Sequence, residues 1–129
     1  MKNKVHLALE RAIDCLSDTD IIIKNELNFA SVNRAYYSVF YAISALLYSK
    51  DIFVKTHSGA ISKFNELFIK ESVFDLETAK SVSLIFEMRQ GADYDLEYEL
   101  GDKEAELAVK IAHNFINQVV QYFQKNPIN

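Results

Sequence analysis

Apolar residues recur every three or four positions along most of this chain, which is the spacing of amphipathic helices. The first run predicts a helix from about Asn3 into the twenties. Its inward positions are Val5, Leu9, Ala12, Ile13 and Leu16. A second run, FASVNRAYYSVFYAISALLYSK, contains no helix breaker and therefore predicts a long helix that ends near Lys50.

Capping residues mark three further helices. Thr56 can cap a third helix over about residues 57–70, and Asp75 can cap a fourth over about residues 76–90. Asp102 or its neighbour opens a fifth. The inward positions of these helices are Ile61, Phe64, Leu67 and Phe68; Ala79, Val82, Ile85, Phe86 and Arg89; and Ala108, Ile111, Phe115, Val119 and Tyr122. With only three glycines and one proline, the chain is predicted to form an all-α, up-and-down bundle of four or five helices.

The second helix lacks a side with the composition of a solvent-exposed surface. One side carries Val32, Tyr36, Val39, Phe40, Ile43 and Leu47. The opposite side, which we call the tyrosine face, carries Arg34, Tyr37, Ser38, Tyr41, Ala45 and Tyr48. The helix is either the central member of the bundle or a contact between two copies of the chain. Tyrosines separated by small residues suit a partly polar contact, so we predict a homodimer interface at Tyr37, Tyr41 and Tyr48.

Composition and charge narrow the class of protein. At 129 residues, half of them apolar, the chain is expected to form a single domain over residues 1–129, with a frayed tail from about residue 125. The net charge of −4 argues against a broad basic surface, so extended contact with DNA is not expected. No apolar run approaches the roughly twenty residues that span a bilayer. The single cysteine, Cys15, falls in a helical apolar pattern and is expected in the core of a cytoplasmic protein.

The chain lacks the familiar motifs of metal and nucleotide chemistry. Its three histidines, His6, His57 and His113, are too scattered to build a zinc site with one cysteine. No glycine-rich phosphate loop or nucleophile elbow is present, and we predict neither a cofactor nor a metal centre. The acidic residues after the fourth helix could bind magnesium or form a solvated loop, and we favour the loop. They are Asp93, Asp95, Glu97 and Glu99.

An arginine closes the apolar stripe of the fourth helix. Arg89 follows Phe86 by three residues, so its guanidinium is expected on the buried side, where it needs a carboxylate, a carbonyl or an external anion. Asp93, four positions later, is the nearest internal partner, and a phosphate could alternate with it. Arg34 and Tyr37 could join Arg89 in binding a nucleotide, because arginines and tyrosines of two copies would meet at the dimer contact.

Three blocks of the sequence carry a resemblance to a known family. They are NRAYYSVFYAISALLYSKDI, KTHSGAISKFNELFIK and RQGADYD, in this order. Together they resemble the small stand-alone HEPN-domain proteins, a helical family found in bacteria and archaea. The resemblance implies a helical bundle that forms a homodimer. It also implies a separate minimal nucleotidyltransferase as partner, within a toxin–antitoxin or defence module.

Many members of that family are metal-independent ribonucleases with a shared motif, an arginine followed after four to six residues by a histidine. The resemblance assigns the arginine to Arg89, which in that mechanism steadies the scissile phosphate. The positions for the histidine hold Tyr94, Asp95 and Leu96. The group that usually assists proton transfer is therefore missing, and standard ribonuclease activity is in doubt.

Other residues near the motif could take part in its chemistry. His57 opens the third helix, where the helix dipole favours a neutral imidazole that accepts a proton. We predict nucleotide or RNA binding without strand cleavage as the main function. The alternative is a ribonuclease that uses Arg89 with Tyr94, Asp93 or His57. In related pairs the partner resembles enzymes that attach nucleotides to a HEPN tyrosine, which makes Tyr94 and Tyr98 candidate modification sites.

Overall fold

A computed structural model describes residues 3–128 of the chain. In this range the backbone forms five α-helices, namely α1 (Lys4–Lys24), α2 (Asn28–Tyr48), α3 (His57–Phe64), α4 (Leu76–Tyr94) and α5 (Asp102–Lys125). A π-helical turn, Asn65–Ile69, continues α3 close to its predicted end. The predicted all-α bundle is confirmed. The predicted tail from about residue 125 includes Asn129, which lies outside the described residues.

Side-chain caps begin α3 and α4 where the sequence predicts them. The Thr56 hydroxyl accepts a hydrogen bond from the backbone N–H of Gly59 at 3.0 Å. Asp75 Oδ1 accepts one from the backbone N–H of Thr78 at 2.9 Å. This backbone hydrogen bond, and a second one from the Thr78 hydroxyl, lower the pKa of the Asp75 carboxyl. Both caps satisfy N–H groups that have no partner inside their helix.

The fourth helix is longer than predicted. It continues beyond residue 90 as far as Tyr94, and the backbone N–H of Asp95 donates to the carbonyl of Gly91 at 3.0 Å. Asp93 therefore belongs to the last turn of α4 and not, as predicted, to an acidic loop. Residues four positions apart lie on the same side of a helix, so the extra turn places Asp93 beside Arg89.

The second helix is the central member of the bundle and contacts α1, α3, α4 and α5. Its tyrosine face packs against α1, with Ser38 and Ala45 fully buried there. The Ser38 hydroxyl donates to the carbonyl of Ala12 in α1 at 2.9 Å. The cover over this face thus comes from the same chain, and its burial is no longer an argument for a second copy. The homodimer interface at Tyr37, Tyr41 and Tyr48 stays a prediction.

The inward stripe of α1 is shifted from the predicted one, and the predicted Leu9 and Leu16 are only partly buried. Its buried residues are Val5, Ala8, Ala12, Cys15 and Thr19. Ile13, which was expected to face inward, is 42 % exposed. The difference has a steric cause, since small side chains at the contact let α1 lie close to α2 and leave larger ones at the margin. Cys15 is buried, as predicted.

Aromatic residues join the shorter elements to α5. Phe64 of α3 lies 5.5 Å from Phe115 of α5 between ring centroids, in an edge-to-face arrangement. Phe74, which precedes α4, lies 6.1 Å from Phe115 and 6.0 Å from Phe68 of the π-helical turn. Such pairs stabilise a core beyond the area they bury. They hold the α3 segment against the bundle, which matters for the site because His57 begins α3.

The segment after α4 folds back over the helix end. The ring of Tyr98 packs directly on Gly91, and a Cβ atom at position 91 would collide with that ring. The backbone N–H of Tyr98 donates to the carbonyl of Asp95 at 3.0 Å. Farther on, the Asn28 side chain donates to the carbonyl of Leu100 at 3.2 Å. The turn is therefore attached to both α4 and α2.

Replacing Gly91 tests this packing. Gly91→Ala is expected to lower the free energy of unfolding, because the added methyl group displaces the Tyr98 ring. In a Tyr98→Ala background the same change should instead raise it by roughly 0.5–1 kcal/mol, since alanine is the better helix former. Urea unfolding of the four proteins in this double-mutant cycle gives both values. An equal effect of Gly91→Ala in the two backgrounds would contradict the packing.

Candidate functional site

Arg89 is a largely buried cation on the inner side of α4. Its side chain is 16 % exposed, and its Nε atom lies 2.8 Å from Asp93 Oδ2. The Nε hydrogen nevertheless has no hydrogen-bond acceptor within the described residues, so the contact is an attraction of charges without a directed hydrogen bond. A buried donor left in this way costs free energy until an acceptor arrives. The arrangement leaves Arg89 able to bind an external anion in place of Asp93.

Two tyrosine rings of α2 complete the surroundings of this guanidinium. Its carbon lies 5.2 Å from the ring centre of Tyr36 and 5.7 Å from that of Tyr37. A nitrogen of Arg89 also donates to the Tyr37 hydroxyl at 3.4 Å. The negative faces of aromatic rings stabilise a cation that has lost part of its water. These rings explain how a charged residue, Arg89, can occupy an inward position in the apolar stripe of α4.

Arg34 approaches the same ring from α2. Its guanidinium carbon lies 5.3 Å from the ring centre of Tyr37, and its nitrogens donate to Asn33 Oδ1 at 3.3 Å and to Cys15 Sγ at 3.6 Å. Neither of these partners carries a compensating negative charge. Arg34 therefore keeps most of its charge available, and the ring of Tyr37 has two guanidinium groups within 6 Å of its centre.

Both arginines line one groove, which we call the arginine groove. Its volume is about 400 Å³, and its lining also includes Ile22, Phe29, Asn33, Ala92 and Asp93. Volumes of this order suit a small ligand. The groove thus offers two cations, one carboxylate and an apolar wall of α1 and α2 residues. Its chemistry fits a phosphate attached to a flat or apolar group.

His57 reaches the site through Tyr36. The Tyr36 hydroxyl lies 2.5 Å from His57 Nδ1, and the two rings stack with centroids 5.6 Å apart. The imidazole also stacks on Phe40 at 4.2 Å. Burial, and then the charge of Arg89, lower the pKa of His57 below its ordinary 6.5. The neutral imidazole is therefore favoured, as predicted. The cause is burial and a neighbouring cation, whereas the prediction named the helix dipole.

The contact with Tyr36 also decides which nitrogen of His57 carries the proton. Burial raises the pKa of Tyr36 far above its ordinary value of 10, although the Arg89 charge opposes this. Tyr36 is 1 % exposed, and within the described residues its hydroxyl has no other acceptor. The hydroxyl therefore donates to Nδ1, which leaves the proton of the neutral ring on Nε2. His57 presents a hydrogen-bond donor, and its accepting nitrogen is already used.

The other four predicted tyrosines lie in different parts of the structure. Tyr94 is 77 % exposed at the C-terminal end of α4, whereas the Tyr98 ring packs on Gly91. Tyr41 lies next to Tyr37, with ring centroids 6.1 Å apart. Tyr48 lies at the far end of α2, beside Phe53. Arg89, Asp93, Arg34 and Tyr37 come together, and His57 joins them through Tyr36.

Sequence reasoning missed the contacts that Tyr36, Phe40 and Arg11 make around the site. By helical periodicity Tyr36 and Phe40 fall on the apolar side of α2, so the sequence assigned them only to the core. Arg11 lies on the exposed side of α1, with its guanidinium carbon 5.4 Å from the ring centre of Tyr41. The sequence shows Arg11 as a charge on α1. Its position opposite Tyr41 follows only from the antiparallel packing of α1 and α2.

Comparison with known proteins identifies the family. The model described as HEPN domain matches residues 5–122. A Methanocaldococcus jannaschii protein with a provisional name as a toxin is 34 % identical over 94 % of this chain and 82 % of its own length. A UPF0332 protein of Thermotoga maritima is 34 % identical over 84 % of this chain and 83 % of its own length. The chain belongs to the HEPN family.

A second M. jannaschii protein, also provisionally named as a toxin, is 28 % identical over 92 % of this chain and 88 % of its own length. The family membership agrees with the helical bundle. Within residues 3–128, no helix combines the length and the apolar character needed to cross a bilayer.

The pKa of His57 provides a test of the site geometry. Arg89→Gln should raise this pKa towards its ordinary value, because the mutation removes the cation that helps to lower it. Arg34→Gln is the matched control and should leave it unchanged, since Arg34 is not among the groups that shift it. A pH titration of the His57 ring protons by NMR gives the values. Equal shifts in the two variants would contradict the placement of Arg89 beside Tyr36 and His57.

Proposed function

We propose that this HEPN protein binds the phosphate of a nucleotide or RNA in the arginine groove. The observation that carries the proposal is that two guanidinium groups lie over one tyrosine ring and line the same open groove. One of them, Arg89, has a buried N–H without an acceptor. Arginine is well suited to phosphate because its planar group donates several hydrogen bonds from one side. The net charge of −4 favours a small anion site over a broad basic surface.

Asp93 acts in this proposal as an internal counterion. In the free protein it lies 2.8 Å from Arg89 Nε, and its side chain is 36 % exposed. A phosphate that enters the groove replaces this carboxylate as the partner of Arg89, and Asp93 can turn towards water. Exchange of one anion for another keeps the buried cation compensated throughout.

The proposed biological setting includes partners. We propose a homodimer and a separate nucleotidyltransferase, in a toxin–antitoxin or defence module. The provisional toxin names of two relatives support such a setting. Phe29 is 55 % exposed, Tyr94 is 77 % exposed and Leu96 is fully exposed, and Phe29 lines the groove. These side chains support a protein contact near the site, and Tyr94 is the more accessible candidate for nucleotide attachment.

The binding proposal is tested by titrating the purified protein with a fluorescent mononucleotide and with a short RNA in the presence of EDTA. Arg89→Gln should weaken both by at least about tenfold, because a hydrogen bond to a charged group contributes about 1.5–3 kcal/mol. Lys80→Gln is the control, since Lys80 lies on an exposed part of α4 and pairs with Glu77. Failure to bind either ligand, or equal binding by the Arg89 variant, would refute the proposal.

A metal-independent ribonuclease is the second candidate, and the placement of His57 is the observation that favours it. The imidazole lies 5.8 Å from Tyr37 between ring centroids, and its Nε2–H could hydrogen-bond a phosphate oxygen. In this reaction a base removes the proton of the ribose 2′-hydroxyl, the oxygen attacks phosphorus, and the 5′-oxygen leaves with a proton. The products carry a 2′,3′-cyclic phosphate and a 5′-hydroxyl.

Incubating the protein with mixed cellular RNA in EDTA distinguishes the two candidates. Binding without new 2′,3′-cyclic phosphate ends is expected, because the accepting nitrogen of His57 is occupied and no histidine stands four to six residues after Arg89. Cyclic ends that disappear in Arg89→Gln and in His57→Gln would instead establish the ribonuclease.

A further inference from the structure

All three arginines of the chain lie over tyrosine rings of α2. Arg89 and Arg34 share Tyr37, as described above. Arg11 comes from α1 and lies over Tyr41, with 5.4 Å between its guanidinium carbon and the ring centre. Tyr37 and Tyr41 are themselves neighbours, with ring centroids 6.1 Å apart. The pairs therefore form a continuous series that leads away from the arginine groove.

A lysine extends the series to the other end of α2. The Lys4 ammonium lies 4.7 Å from the ring centre of Phe53 and 6.0 Å from that of Tyr48. The two rings are 5.2 Å apart, and Phe53 is 60 % exposed. All three residues line a second pocket of about 560 Å³, which we call the end pocket. We define the cation row as Arg89, Arg34, Arg11 and Lys4 with their aromatic partners.

Helix geometry explains why these residues form one line. Lys4 and Arg11 are seven positions apart, which places them on the same side of α1. Tyr41 and Tyr48 are also seven positions apart on α2, and the two helices pack against each other. From Tyr37 to Tyr48 the rise of an α-helix amounts to about 16 Å. The row thus follows the contact between α1 and α2 from the arginine groove to the end pocket.

The positive charges of the row are largely uncompensated. Within residues 3–128, Lys4, Arg11 and Arg34 form no salt bridge with a carboxylate, whereas Lys63 and Lys80 elsewhere on the surface do. Acidic residues are present nearby: Asp14 and Asp18 act on the Cys15 thiol, and Asp51 lines the end pocket. They flank the row and are not paired with its cations. In a chain of net charge −4, the row is a local site for an anion.

We propose that the cation row binds a single-stranded oligonucleotide whose first phosphate occupies the arginine groove and whose following nucleotides extend towards the end pocket. A line of cations that ends at an exposed aromatic ring is the chemistry that recognises a single strand, since phosphates meet the charges and a base stacks on the ring. Phe53 is the stacking surface at the far end. The inference rests on the proposed function and extends it from one nucleotide to several.

The combination of charge and ring distinguishes this ligand from others. A mononucleotide needs only the arginine groove and gains nothing from Arg11 or Lys4. A duplex has its bases paired and stacked internally, so it cannot use the rings in the same way. A single strand uses both, and stacking on an aromatic side chain contributes about 1–3 kcal/mol per base.

The test compares two ligands on the same set of proteins. The ligands are a labelled single-stranded RNA of about eight nucleotides and a labelled mononucleotide, and binding is measured by fluorescence anisotropy at several salt concentrations. The variants are Arg11→Gln, Lys4→Gln, their combination and Phe53→Ala. Lys110→Gln, which removes an exposed lysine of α5, is the control for charge. Circular dichroism checks that every variant retains its helical content and melting temperature.

The combined Arg11 and Lys4 variant should bind the RNA at least about tenfold more weakly and bind the mononucleotide as the original protein does. The slope of log affinity against log salt should become less steep by about 0.7 for each cation removed, the value for single strands. Phe53→Ala should weaken RNA binding without changing this slope. Lys110→Gln should change neither.

Three outcomes would overturn the inference or separate it from the proposed function. RNA affinity that is lost in Arg89→Gln but intact in the combined variant would refute the cation row and keep the arginine groove. RNA affinity that depends on Arg11 and Lys4 but not on Arg89 would support RNA binding along the row and refute phosphate binding in the arginine groove. A dimer that dissociates in the combined variant, with RNA affinity unchanged, would show that the row binds a second copy instead.

Discussion

The guanidinium of Arg89 imposes the constraint on which the arrangement of the site depends. A cation with only 16 % of its side chain exposed has lost most of its water and must be compensated by its surroundings. The compensation comes from two helices. Asp93 supplies the charge because α4 continues for one more turn, and Tyr36 and Tyr37 supply ring faces because α2 runs through the centre of the bundle.

The central position of α2 in turn depends on small residues. Ser38 and Ala45 let α1 approach the tyrosine face, and the hydrogen bond from Ser38 to the Ala12 carbonyl fixes the contact. Larger side chains at these positions would hold α1 away from the tyrosines. Arg11 would then lose its contact with Tyr41. Packing inside the bundle and the line of charges on its surface are therefore two results of the same helix contact.

Much of the fold could be predicted from the sequence, because helical periodicity and caps are local properties. Thr56 and Asp75 begin their helices as expected for that reason. The pairing of Arg89 with Asp93 could be anticipated from spacing alone, although the end of α4 was placed too early. What spacing cannot give is the angle between helices. The link from His57 through Tyr36 to Arg89 joins three helices, and the contact of Arg11 with Tyr41 joins two, so both depend on packing that no local pattern contains.

The tyrosine face illustrates the same limit. The sequence predicted that this face contacts a second copy of the chain, whereas in the structure α1 packs on it. The wheel shows correctly that both sides of α2 are covered, but it carries no information about which element provides the cover. Family membership follows from a match over residues 5–122, while the missing motif histidine shows that the residues of the site must still be judged one by one.

The hydrogen bond between Tyr36 and His57 has a thermodynamic consequence for any anion that enters the groove. The charge of Arg89 helps to keep His57 unprotonated. A bound phosphate offsets that charge, so the pKa of the imidazole rises when the groove is filled. Near that pKa, ligand binding is then accompanied by proton uptake, and by linkage the affinity increases as the pH falls. The half-buried imidazole would thus make the protonation state of the protein depend on the occupancy of a groove that it does not line.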